Sequence, residues 1–155
     1  MATRLLLALT FIVGAASLAA GREGPAVTPF KFVGGTEKLP EACEGLVEVE
    51  STELTFKCPN GSVPVPYSAI TLMQYRPDVS KKVWRMKIKW KVKPGFTMPL
   101  VGGKKNRYFT VVYQEKGEMR ALVLEVSPKK MRPYLAEIDV KAGKRVEVME
   151  YEEYD

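Results

Sequence analysis

The stretch from Val83 to Lys93, VWRMKIKWKVK, constrains the fold more than any other part of this 155-residue chain. Its even positions are apolar, and its odd positions after Val83 are all basic. Side chains alternate between the two faces of a β-strand, whereas a helix would mix the two sets around its circumference. The alternation therefore predicts a strand with one cationic face and one apolar face that carries Trp84 and Trp90 into the core.

The first twenty residues have the layout of a secretory signal peptide. Arg4 precedes an apolar run from Leu5 to Leu18, and small residues lead to a cleavage point near Ala19 or Ala20. The alternative is a membrane anchor, but the run is shorter than the ~20 apolar residues of a span, and two charged residues follow it closely. We therefore expect cleavage and a secreted or periplasmic protein.

The remainder of the chain divides into a leader, one domain and a tail. Residues 21–42 are rich in glycine and proline and predict an extended leader, in which the motif TPFKFV forms a short edge strand. Residues 43–149 are long enough for one domain with its own core. Residues 150–155 form an acidic tail.

Charge is segregated along the chain, although the formal net charge is only +6. Glu41 to Lys57 holds five glutamates and one lysine, and Glu147 to Asp155 holds five acids and no base. Between them, Arg76 to Arg107 holds eleven basic residues and one aspartate. Segregated charge is an argument about association rather than about fold.

The two cysteines, Cys43 and Cys58, are predicted to form a disulfide, which secretion permits. Alternating residues on both sides of Ser51-Thr52 predict a hairpin, and this hairpin brings the two cysteines close together. The alternative is a pair of buried free thiols.

The remaining patterns predict mainly short strands and one helix. Pro64 and Pro66 predict that residues 63–67 form a strand at a sheet edge or a very short strand, because proline has no backbone donor. Met131, Tyr134, Leu135 and Ile138 form an apolar helical stripe, opened by Ser127-Pro128 and closed by Gly143. Because Pro133 interrupts this stripe, we expect an irregular turn first and a regular helix from about Arg132 to Ala142.

This order of elements resembles the pleckstrin-homology-like (PH/GRAM-like) domains of secreted bacterial proteins. The passages that carry the resemblance are Gly45–Val49, Leu54–Phe56, Val65–Ile70 and Arg107–Val126 with the helix that follows. The resemblance implies a mainly β fold, a PH-like half-open antiparallel β-barrel of about six to seven strands with one C-terminal amphipathic helix. Such domains are binding modules, and some bind phosphoinositide headgroups or peptides. The lipid-binding members typically carry a basic first hairpin, whereas Glu44 to Lys57 is acidic here.

The sequence offers few catalytic groups. It has no histidine, no nucleophile elbow and no nucleotide-binding or metal-binding motif, so we predict no catalytic residues, no cofactor and no metal. Paired glutamates leave a small carboxylate-dependent hydrolase as an alternative. Asn60-Gly61-Ser62 matches a glycosylation acceptor but also a tight turn, and we interpret it as the turn.

The candidate anion-binding residues are the odd positions of the basic stretch: Arg85, Lys87, Lys89, Lys91 and Lys93. Lys81, Lys82, Lys104, Lys105 and Arg107 extend this set. One interpretation is a site for an anionic envelope surface or an acidic protein. The others are a solvated strand face that blocks aggregation, or internal pairing. The internal partners would be the glutamates of the Glu44 to Lys57 hairpin or the acids of the C-terminal stretch, Glu147, Glu150, Glu152 and Glu153.

The basic face has no interleaved aromatic residue, which argues against nucleic acid. From sequence we therefore expect a secreted, non-catalytic binding or envelope-associated module. The alternatives are a purely structural domain without a ligand and the small hydrolase named above.

Overall fold

The computed structural model describes residues 29–95 and 107–149, and eight strands in these ranges form one sheet. The strands are β1 (Phe30–Gly35), β2 (Glu44–Val49), β3 (Glu53–Cys58), β4 (Gly61–Pro66), β5 (Ile70–Arg76), β6 (Arg107–Glu115), β7 (Glu118–Val126) and β8 (Glu147–Val148). Two α-helices accompany them, α1 (Lys81–Trp84) and α2 (Pro128–Ala142), with a short 3-10 turn at Tyr67–Ala69.

The sheet order is β4-β3-β2-β1-β7-β6-β5-β8. All neighbours are antiparallel except β8, which pairs with β5 in parallel. The sheet is open, with β4 and β8 at its edges, and it has eight strands where we expected six or seven. The prediction of a mainly β fold is confirmed.

The main core lies between one face of the sheet and α2. Phe30, Phe56 and Phe109 reach this core from three different strands, and Met131 and Ile138 reach it from the helix. The predicted apolar stripe of α2 is confirmed, because Tyr134 and Leu135 also pack against the core. The helix runs unbroken through Pro133, so the predicted irregular first turn is wrong. It ends at Gly143, whose φ of 62° is the left-handed conformation that favours glycine.

A second, smaller core lies on the opposite face of the three neighbouring strands β5, β6 and β7. Leu72, Val112 and Ala121 contribute to it from these strands, and residues 79–94 cover them. We call residues 79–94 the covering segment. The prediction of a strand from Val83 to Lys93 is wrong, because the covering segment contains α1 followed by irregular backbone with a single β-bridge.

The physical reason for this error is that alternation reports which side of a segment is buried, and not whether its backbone joins a ladder. The odd basic positions are exposed, while the even positions are buried or partly buried, as predicted. However, β5 and β7 are already paired on both sides with other strands at this part of the sheet. The segment therefore lies across the face of the sheet, and its apolar side chains pack against β5, β6 and β7.

The predicted position of the TPFKFV motif at a sheet edge is also wrong. The strand β1, which lies within the predicted leader, pairs with β2 on one side and β7 on the other. Phe30 and Phe32 are fully buried, and they anchor β1 in the middle of the sheet.

Several local predictions on the acidic side of the chain are confirmed. β2 and β3 form the expected hairpin, with Val47 opposite Phe56. Cys43 and Cys58 are joined by a disulfide, with their Cα atoms 6.0 Å apart. β4, which contains both prolines of the 63–67 segment, lies at the edge of the sheet as predicted.

Candidate anion-binding surface

The covering segment is held to the sheet by its apolar side chains. Val83 is fully buried and Ile88 is 9% exposed, and both pack in the second core. Met86 and Trp90 are partly buried against the same core. Trp84 contacts Trp90, with ring centroids 5.4 Å apart. Trp90 thus packs against the smaller core, and Trp84 contacts Trp90, whereas we expected both tryptophans in the main core.

The C-terminal end of the covering segment docks on the two glycines of β1. The Gly35 N–H donates to the Val92 carbonyl at 2.9 Å, and the Gly35 carbonyl accepts from the N–H groups of Lys91 and Val92. A Cβ atom on Gly34 would lie 2.5 Å from the Cγ of Pro94. Gly34 therefore lets the segment approach β1 more closely than a residue with a side chain would allow.

The N-terminal end is held by a chain of polar contacts. Ser80 accepts a hydrogen bond from the N–H of Val83 and so caps α1, and its hydroxyl donates to Gln74 Oε1 at 2.6 Å. Gln74 Nε2 in turn donates to Glu147 at 2.8 Å. Gln74 and Ser80 are each only 5% exposed, so this buried network joins β5, β8 and the start of the covering segment.

Five basic side chains project from the side of the covering segment that faces solvent, namely Arg85, Lys87, Lys89, Lys91 and Lys93. We call this set the basic ridge. Two residues of extended chain span at most about 7 Å, which is less than the Debye length of about 8 Å at physiological ionic strength. Each charge therefore reinforces the potential of the next, and the ridge is one continuous cationic surface.

One expected acidic residue, Glu147, and one that was not predicted, Glu118, contact the basic residues of this segment. Lys89 forms an ion pair with Glu118 at 3.3 Å, and Lys82 lies 3.9 Å from Glu147. Both pairs are well exposed, and such surface pairs contribute about 0–1 kcal/mol. Glu147 thus lies beside α1 and not beside a ridge residue. Glu150, Glu152 and Glu153 lie outside the described residues, so their pairing stays a prediction.

The residues that were expected to extend the ridge behave differently from one another. Lys81 and Lys82 are exposed in α1 and lengthen the basic surface at its N-terminal end. Lys104 and Lys105 lie outside the described residues. Arg107 is directed elsewhere: it donates to the Met149 carbonyl at 2.9 Å and lies over the ring of Tyr75.

An acidic groove of about 580 Å³ lies between β2 and α2, away from the ridge. Glu48, Glu50 and Glu137 line it, together with Tyr134 and three smaller side chains. Glu48 accepts a hydrogen bond from Lys57 at 2.6 Å, and Glu137 accepts one from Lys141 at 2.8 Å. Two of the three carboxylates are therefore engaged in ion pairs. The described residues contain no cluster of side chains suited to a metal ion, and none of their helices is long and apolar enough to cross a bilayer.

The sequences of β6 and β7 also indicate that a second element covers the sheet. β6 and β7 contain the nearly continuous apolar runs YFTVVY and ALVLEV, and not the strict alternation of a strand with one wet face. Such runs are typical of strands that are buried on both faces. One helix can cover only one face of the sheet, so a second covering element was required. Val83 to Lys93 is the stretch whose one apolar side suits that position.

The fold and site thus define a mainly β protein with an open sheet, one C-terminal helix and an exposed basic ridge. No model of a known protein family matches the chain, and no curated protein has significant sequence similarity to it.

Proposed function

We propose that this protein is a secreted, non-catalytic binding module whose basic ridge holds an anionic partner. The observation that carries the proposal is the composition and mounting of residues 79–95. This stretch has seven basic residues and no acidic residue, and its seven basic side chains are all exposed. The buried contacts of the apolar side fix the backbone from which the charged side chains project. Pre-ordered charges lose less conformational entropy on binding than charges on a free chain.

A location outside the cytoplasm is supported by two features. The N-terminal twenty residues have the composition of a cleaved signal peptide. The Cys43–Cys58 disulfide is the kind of bond that persists in oxidising compartments. Outside the cytoplasm, such a ridge would bind anionic polymers or anionic surfaces.

A PH-like origin of the fold belongs to the same proposal. Its support is the order of two antiparallel meanders, β1 to β4 and β5 to β7, which join through β1 and β7 and are followed by α2. The acidic β2–β3 hairpin sets this chain apart from the lipid-binding members of that family. The ridge on the covering segment takes the place of a basic first hairpin as the binding surface.

The test is retention of the full chain, as it is produced by the cell, on immobilised heparin and on anionic vesicles at low and moderate salt. The ridge variant carries Lys87→Glu, Lys91→Glu and Lys93→Glu, and leaves the Lys89–Glu118 pair intact. A matched control carries Lys129→Glu, Lys130→Glu and Arg132→Glu on the exposed side of α2, with the same change of charge.

We expect the natural protein and the control to be retained and the ridge variant to be lost in the flow-through, with equal melting temperatures for all three. Equal retention of both variants would show that net charge and not the ridge determines binding. No retention of the natural protein on either matrix at low salt would refute the proposed function.

A further inference from the structure

We propose that the partner of the basic ridge is a linear acidic polysaccharide that lies along the covering segment. This inference rests on the proposed function and names the class of ligand. The shape of the charge distribution is the first argument. The ridge residues occupy every second position from Arg85 to Lys93, and this length of chain spans at most about 29 Å.

Carboxylates stand beside the basic row on neighbouring elements. Glu118, at the start of β7, contacts Lys89, and Glu147 in β8 lies close to Lys82. The side chains of both glutamates are more than half exposed. A flat anionic surface that contacted the whole row would also approach these carboxylates, at a cost in like-charge repulsion. A chain-like polyanion that follows the row passes Glu118 beside Lys89 but avoids Glu147, which lies beside Lys82 outside the row.

The covering segment also lacks the groups that insert into a membrane. Among the described residues, the large apolar side chains with substantial exposure are Leu46, Val140, Val148 and Met149, and none of them belongs to the segment. Membrane-surface binding through an apolar face requires such side chains next to the basic ones. The ridge offers charge alone.

The side chains of the ridge also argue against nucleic acid. Proteins that hold single strands stack bases on exposed aromatic rings beside a basic groove. Here the aromatic rings of Trp84 and Trp90 contact each other, and both residues lie on the side of the segment that packs on the sheet. Four of the five ridge residues are lysines, which act as point charges and lack the planar fork of arginine that favours bidentate phosphate contacts. Such a row of lysines responds to the charge density of a polymer and offers no groups that recognise nucleotide bases.

The experiment compares four probes of equal total charge concentration against the full chain. These are heparin, polygalacturonate, an oligothymidylate single strand, and vesicles of phosphatidylglycerol in phosphatidylcholine. We expect the two polysaccharides to bind at least about tenfold more tightly than the other two probes. Counting four ridge cations besides Lys89, affinity should fall about 50-fold between 50 and 200 mM salt, by analogy with single-stranded polyanions.

A series of heparin fragments adds a measurement that charge alone would not reproduce. Affinity should rise with fragment length until the fragment spans the ridge. For longer fragments, the affinity calculated for each ridge-length site should stay constant. The ridge variant should lose this dependence, and the α2 control variant should keep it.

The outcomes separate the ligand class from the proposed function. Equal or tighter binding of the vesicles or the oligothymidylate, lost in the ridge variant, would overturn the polysaccharide while the anion-binding function stands. Failure of all four probes at low salt would overturn both. Retention of polysaccharide binding by the ridge variant would place the site elsewhere and would also overturn the inference.

Discussion

Replacing Gly34 with alanine should detach or strain the end of the covering segment without changing the sheet itself. The Cβ atom would meet three atoms of one residue, the Cγ at 2.5 Å and the Cδ and N of Pro94 at 2.7 Å. Real Cβ atoms do not approach other atoms so closely, so Pro94 must move. Pro94 is buried, and its backbone is anchored two residues away at Val92, so this movement is costly.

The size of the effect follows from two limiting cases. If the segment stays docked, the strain of an extra methyl group in a packed site costs about 1–3 kcal/mol. If the end of the segment detaches, the backbone hydrogen bonds between Gly35 and residues 91–92 are lost, at about 0.5–1.5 kcal/mol each. The three bonds of the second case give about 1.5–4.5 kcal/mol, and this range overlaps that of the first case near 2 kcal/mol. For a domain of this size that corresponds to a drop of roughly 5–12 °C in melting temperature.

The assay uses the fact that both tryptophans of the protein, Trp84 and Trp90, lie in the covering segment. Tryptophan emission therefore reports whether the segment is docked, and far-ultraviolet circular dichroism reports whether the sheet is folded. In Gly34→Ala the emission should shift to the red below the temperature at which the sheet melts. Gly95→Ala is the matched control, because a Cβ atom there meets nothing within 4 Å.

Identical melting and emission for Gly34→Ala and the natural protein would refute the reasoning, since the segment could then not be packed against Gly34. A comparable loss in Gly95→Ala would also contradict it, because the effect would then come from alanine in this stretch generally.

Two further predictions concern the disulfide and the pH dependence of stability. Replacing Cys43 and Cys58 together by alanine should cost about 3 kcal/mol in the chain-entropy model, since the bond closes a loop of 15 residues; a loss below about 1 kcal/mol in urea unfolding would contradict this account. Burial raises the pKa of Tyr75 from 10.0 to about 12, although nearby Arg107 opposes the shift. The neutral phenol is therefore favoured in the folded state, and its contribution to stability is complete below pH 10 and is lost as the pH rises towards 12.

The Tyr75 prediction is checked by titrating tyrosinate absorbance and by measuring unfolding between pH 9 and 12. Tyr75→Phe removes one titrating group and should make the fall in stability above pH 10 less steep, while Tyr113, whose pKa burial also raises, remains. It also removes the hydrogen bond to the Val126 carbonyl, so the variant should be less stable at neutral pH. A fall in stability above pH 10 that is equally steep in the variant would assign the effect to another group.

Local sequence was sufficient for features that depend on neighbouring residues. The β2–β3 hairpin determines how close Cys43 and Cys58 lie, and proline places β4 at an edge because it cannot donate a backbone hydrogen bond. The α2 stripe and its stop at Gly143 likewise depend on spacing and on one φ angle. These features were predicted because their physical causes lie within about fifteen residues of each other.

Long-range placement was not accessible in the same way. Phe30 and Phe32 gave β1 the same alternation that an edge strand would have, and only pairing with β7, nearly a hundred residues later in the chain, makes it central. Nothing within TPFKFV distinguishes these two positions. The position of a strand in a sheet is decided by contacts between distant segments, and a single strand's pattern does not encode them.

The basic ridge combines both kinds of information. The sequence by itself determined which side chains of residues 85–93 face solvent, because a period of two separates apolar from basic residues on a roughly extended segment. Only the tertiary structure decided that this segment covers the face of β5, β6 and β7 without pairing with them, since those strands are already paired on either side. The same packing places the tryptophans beneath the charges and leaves the ridge as the outermost layer of that face.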